Sequence, residues 1–143
     1  MSKLTETLLD LISDSGLTLK ETAERIGIPA TCLTDYLLEK HQPAVESIIK
    51  IADYYNCSVD FLLGRETEKQ NLTFKTCPPF QEQLRYLKNY FNCSSYRFFN
   101  GTKISKSAYY SWLRGAHKPT LDNIIDLADE FDCRVDFILG RES

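Results

Sequence analysis

The chain has 143 residues, of which 43% are apolar and 26% charged, with 6 Gly and 5 Pro, a globular composition that excludes a disordered, collagenous or low-complexity chain. No run approaches the roughly 18 to 20 apolar residues of a membrane span, and the opening Met1-Ser2-Lys3-Leu4-Thr5-Glu6 sets a carboxylate where a secretory leader is apolar, so a soluble, cytoplasmic chain is expected. The net charge of −3 hides an asymmetry: residues 1–68 hold 6 Lys+Arg against 12 Asp+Glu and residues 69–143 hold 11 against 8, so the halves carry −6 and +3 and any polyanion falls to the second.

In chain order, Leu4, Leu8, Leu11 and Ile12 form a first helical stripe, and Gly16 separates it from Thr18-Leu19-Lys20-Glu21, which has the capping-box form of a second helix start. Ala23, Ile26, Gly27, Ile28, Leu33 and Tyr36 predict a short helix, a tight turn at Gly27 and a third helix from near Pro29. Val45, Ile48, Ile49, Ala52 and Tyr55 repeat at i, i+3, i+4 and i+7, the stripe of a fourth, core-facing helix. Pro43 precedes it, where a missing N–H costs little, and Asn56 follows, where a residue tolerant of positive φ closes the last turn. Ser58 can cap a short fifth helix that runs through Phe61 to Leu63 and stops at Gly64.

Set against itself with a displacement of 76, the chain shows 19 identities among 63 gapless pairs, the best stretch matching Pro43–Glu66 to Pro119–Glu142. Leu121, Ile124, Ile125, Ala128 and Phe131 repeat the fourth stripe and Asp132 stands for Asn56, whereas Arg134 stands for Ser58 and cannot cap, so this last helix should be weaker. The expected fold class is all-α, two tandem five-helix domains: residues 1–66, a linker over 67–79, and residues 80–143.

The five cysteines (Cys32, Cys57, Cys77, Cys93, Cys133) stand at gaps of 25, 20, 16 and 40, without metal-ligand spacing, and are read as thiols not joined in disulfides. Cys57 and Cys133 precede the fifth helix of each domain and are read as core residues. There is no nucleophile motif and no phosphate-cradling glycine loop, and the two histidines, His41 and His117, each fall in a loop. No enzyme, metal or cofactor is therefore expected.

These residues resemble the phage-repressor and Cro-like (xenobiotic-response-element type) helix-turn-helix family, five-helix DNA-binding units that commonly end in a segment like Val59-Asp60-Phe61-Leu62-Leu63-Gly64-Arg65. The resemblance covers residues 4–66 and 80–142; Ala23, Gly27, Leu33 and Tyr36 fall where the family places its small residue, turn glycine and buried apolar positions. It implies double-stranded DNA as partner, with the third helix in the major groove and phosphates clamped by the start of the second helix and the loop after the third. In the second domain this carries over to Ser95 and Arg97 at the second helix, to Ser105, Lys106, Ser107, Tyr110, Ser111 and Arg114 on the third, and to His117 and Lys118 in the loop beyond. The same face of the first domain reads Pro29, Ala30, Thr31, Thr34, Asp35 and Leu38, then Glu39 and Lys40. Residues 4–42 hold 3 Lys+Arg against 7 Asp+Glu and residues 80–118 hold 7 against 1, so the phosphate term favours only the second domain.

The second domain departs from the family in carrying Phe99 at the small-residue position and Lys103 at the turn glycine. Asn100-Gly101 can supply the left-handed turn instead, ending the second helix early. Ten of the 17 aromatics fall between Phe80 and Trp112; with Tyr109 and Trp112 at buried family positions they are read as core. Leu37, Leu38, Leu62 and Leu63 of the first domain are candidates for a dimer contact. The sequence thus leads to a homodimeric, sequence-specific DNA-binding transcriptional regulator. The competing expectation is a protein-interaction module of antitoxin or antirepressor type whose degenerate helix-turn-helix domains do not bind DNA.

Overall fold

The computed structural model describes residues 2–67 and 74–142. Among them are ten helices and no strand, so the all-α class holds, and the chain divides into two compact units, Met1–Leu72 and Thr73–Ser143.

In the first unit α1 (Lys3–Ser15) starts at Ser2, whose hydroxyl accepts from the Thr5 N–H, and stops at Gly16 in the left-handed region. The Thr18/Glu21 capping box opens α2 (Leu19–Ile26), and Gly27 at φ 92° turns the chain toward α3 (Ala30–Leu37). Asn56 at φ 51° ends α4 (Val45–Tyr55), and Ser58 caps α5 (Val59–Leu62) through the Phe61 N–H. Leu8, Ala23, Leu33, Ile48, Ile51, Ala52, Val59 and Leu62 make the core. The buried face of α4 is rotated from the expected stripe: Ile51 is buried while Val45, Ile49 and Tyr55 are half-buried. α4 packs against both α2 and α5, and the position of these two neighbours sets the face that is covered.

The second unit holds α6 (Phe80–Tyr90), α7 (Tyr96–Phe99), α8 (Lys106–Leu113), α9 (Leu121–Glu130) and α10 (Val135–Leu139). α7 is a single turn with no side-chain cap; Asn100 is extended and Gly101 takes φ 85°. The left-handed residue is therefore Gly101, and Lys103 keeps a negative φ. Phe98, rather than Phe99, fills the core, its ring 5.2 Å from Tyr109 and 5.0 Å from Phe131, while Phe99 is half-buried. α10 runs five residues although Arg134 makes no cap, so the expected weakening does not shorten it. Arg134 instead pairs with Glu142 and Asp136, and Asp136 pairs with the buried Arg141. Asp60 and Arg65 make the corresponding contact at 3.2 Å, which explains the shared Val-Asp-Phe ending: the arginine beyond the glycine turn returns to the first turn of the last helix.

Three expectations are corrected. Of the linker over 67–79, residues 68–73 lie outside the described residues, and residues 74–79 are part of the second unit's structure. The Lys75 N–H donates to the Arg141 carbonyl at 2.8 Å, and the Arg141 guanidinium lies 4.1 Å from the centre of the Phe74 ring. Leu62, offered for a dimer contact, is buried in the first core because α5 must turn that face inward to cover α1 and α4. Cys57 is buried as expected but Cys133 only half-buried, and no disulfide joins any of the five cysteines.

Candidate nucleic-acid interface

The α2–Gly27–α3 pair of the first unit is regular, with Ile28 buried behind the turn and Lys50 reaching the Gly27 carbonyl at 3.5 Å. Its outward face offers little to an anion. The Thr34 hydroxyl is spent on the Ala30 carbonyl at 3.0 Å, and Asp35 lies 3.9 Å from His41. Leu38 is 61% exposed. Glu39 sits in the left-handed region at φ 60°, and its carboxylate accepts from the Ser2 N–H at the start of α1. That backbone bond, with hydroxyl bonds from Thr5 and Ser2, holds the Glu39 carboxyl below the usual glutamate value, so it stays charged.

In the second unit a stapled loop sets the start of α8. The Thr102 hydroxyl donates to the Phe98 carbonyl at 2.9 Å, the Lys103 N–H to Asp126 at 2.6 Å, and the Ser105 hydroxyl caps the helix by accepting from the Ala108 N–H at 3.0 Å. Asp126 was not legible as part of this site, because it lies 23 residues from the backbone group it holds. Ser105, Lys106, Ser107 and Tyr110 are exposed along α8, followed by Arg114, His117 and Lys118. Gly115 at φ 73° closes the helix in the left-handed region, the conformation Glu39 takes at φ 60° at the same repeat position of the first unit. No Asp or Glu occurs from Gln83 to Leu121, against Arg85, Lys88, Arg97, Lys103, Lys106, Arg114 and Lys118.

Three of the predicted contact residues are committed elsewhere. Ser111 is buried at 7% exposure, and its hydroxyl meets Nδ1 of His117. Arg97 pairs with Glu130 at 3.5 Å and lies 4.9 Å over the Phe131 ring, which holds its guanidinium against α9 and the turn after it. Ser95 accepts from the Tyr109 hydroxyl at 2.9 Å. Burial raises the Tyr109 phenol above the usual tyrosine value, the Ser95 contact opposes this, and Tyr110 and Cys93 add to the rise; the ring is a neutral strut. Among the described residues no His, Cys, Asp and Glu side chains group as a metal site, and no helix is long and apolar enough to cross a membrane.

The helix-turn-helix family model matches residues 14–62, so the first unit carries a helix-turn-helix domain. The chain is 33% identical over 76 residues to the HTH-type transcriptional regulator ImmR of Bacillus subtilis (strain 168), an alignment covering 52% of this chain and 60% of that protein. It is 31% identical over 65 residues to the HTH-type transcriptional regulator AnsR of the same organism, covering 46% and 56%. The chain thus spans less than two thirds of the length of these relatives. No solved structure matches significantly.

Proposed function

We propose that this chain is a sequence-specific, double-stranded DNA-binding transcriptional regulator, not an enzyme, in which the two units are tandem versions of one helix-turn-helix domain and the second reads the major groove through α8. The observation that carries the reading is the exposed row Lys106, Ser107, Tyr110 and Arg114, continued by His117 and Lys118, within a stretch that holds no carboxylate. Arg and Lys donate to guanine O6 and N7, Ser serves either partner of a base pair, and cations neutralise phosphates. The first unit, with its acidic α3 face and exposed Leu38, serves interaction and dimerisation, with the half-buried Leu37 and Leu63 as further candidate contacts.

The names of the two Bacillus regulators support the transcriptional class. A second reading, an interaction module that binds no DNA, is favoured by one feature, the single-turn α7 that takes the place of a full second helix. Selection of duplexes from a random or genomic library with the full chain decides between them. A recovered motif, lost in Lys106→Ala and Arg114→Ala but not on charge reversal at Lys40, is the expected result; no enrichment overturns the DNA reading.

A further inference from the structure

Ser111 is buried and so withdrawn from direct contact with DNA, but its position on α8 gives it another task. We infer that Ser111 is a positioning residue that turns the His117 ring so that Nε2 faces outward as a donor to a backbone phosphate; this rests on the proposed reading of α8. The Ser111 hydroxyl meets His117 Nδ1, and the Ser111 carbonyl accepts from the Ala116 N–H at 3.0 Å. The last turn of α8 therefore holds the following loop by side chain and backbone together. A hydroxyl that donates to Nδ1 leaves the proton of a neutral imidazole on Nε2. His117 is exposed and its Nε2 has no partner among the described residues, while exposed Arg114 and Lys118 flank it in sequence.

The first unit provides an internal contrast. Asp35 and His41 stand at the same six-residue spacing, but there Nε2 is the nitrogen turned toward the partner, 3.9 Å from Asp35 Oδ2. In the first unit the Nε2 edge thus lies nearest the carboxylate, beyond hydrogen-bond distance, whereas in the second unit it is Nδ1 that meets the hydroxyl.

The test uses the full chain, with ring-nitrogen NMR in the absence of DNA and equilibrium binding to a short mixed-sequence duplex over a salt series. In the parent protein His117 is expected to carry its proton on Nε2, with Nδ1 accepting a hydrogen bond. Ser111→Thr, which keeps the hydroxyl, should preserve that signature and the affinity. Ser111→Ala should lose both, binding about fivefold more weakly with the logarithmic salt slope unchanged, because a neutral imidazole displaces no counterion, and the surface variant His117→Gln should weaken binding as much. A proton on Nδ1 in the parent protein overturns the inference. So does unchanged binding by His117→Gln while Lys106→Ala and Arg114→Ala weaken it, an outcome that leaves the reading of α8 standing. If none of these variants alters binding, the reading of α8 fails as well.

Discussion

Arg97 and Arg114 both lie in the basic stretch of the second unit, yet their surroundings assign them different work. Arg97 is engaged by Glu130 and the Phe131 ring, whereas Arg114 is exposed at the end of α8 and makes no ion pair among the described residues. Lys106→Ala and Arg114→Ala are therefore expected to weaken specific DNA binding by about 1 to 3 kcal/mol each. Arg97→Ala should instead lower stability by about 0.5 to 1 kcal/mol, because its contacts are partly exposed; titrations and thermal melts on the same variants separate the two effects. Glu39 gives a pH prediction. Its folded carboxyl value is lowered by hydrogen bonds at the start of α1, so its contribution is present above the ordinary value of 4.5 and is lost as pH falls through the lower folded value. Melting curves from pH 7 downward should show Glu39→Gln less stable than the parent at neutral pH, with the gap closing below about pH 4.5.

At the scale of elements, α7 of the second unit is one turn followed by an extended residue and a left-handed glycine, whereas α2 of the first unit runs eight residues. A Cβ at Gly101 would meet nothing closer than Glu130 Oε2 at 3.8 Å, so Gly101→Ala tests the backbone conformation rather than packing. It should cost about 1 kcal/mol by denaturant titration. The segment 74–79 is a second case. Phe74 lies over Arg141, a guanidinium at 0% exposure that also pairs with Asp136, and Pro78 lies where a Cβ on Gly140 would come within 2.7 Å. Removing the ring opens a buried ion pair to water, and Phe74→Ala should destabilise the second unit by about 1 to 2 kcal/mol. A fragment that begins at Phe80 should melt lower than one that begins at Thr73; equal melting would show that the segment contributes nothing.

For the whole molecule the same segment changes the reach between units. Thirteen free residues would extend roughly 43 Å, but with residues 74–79 held on the second unit the span from Thr67 to Phe74 is at most about 25 Å. One chain placing both units on successive half-sites of a pseudo-palindrome is disfavoured by Asp35 and Glu39, which would set carboxylates against phosphates. Two chains presenting two second units is the arrangement symmetry offers. Sedimentation at micromolar concentration is expected to show a dimer for the full chain and a monomer for residues 73–143, with Leu38→Lys shifting the full chain toward monomer. A fragment that dimerises as well as the whole chain would assign the interface to the second unit.

Helix boundaries and the charge split were legible in the sequence because both are local or additive. Thr18 and Glu21 lie three residues apart, Asn56 and Asp132 adopt φ 51° and 49° as their residue type permits, and charge needs only counting. What tertiary structure decided was which side chains of the basic stretch remain available. Ser111, Arg97 and Ser95 fit an outward helical face by spacing alone, yet His117, Glu130 and Tyr109 claim them, and Leu62 is drawn into the core by α1 and α4. The physical reason is that each partner lies at least six residues away in the chain, so no window of one helical period contains both members of the contact.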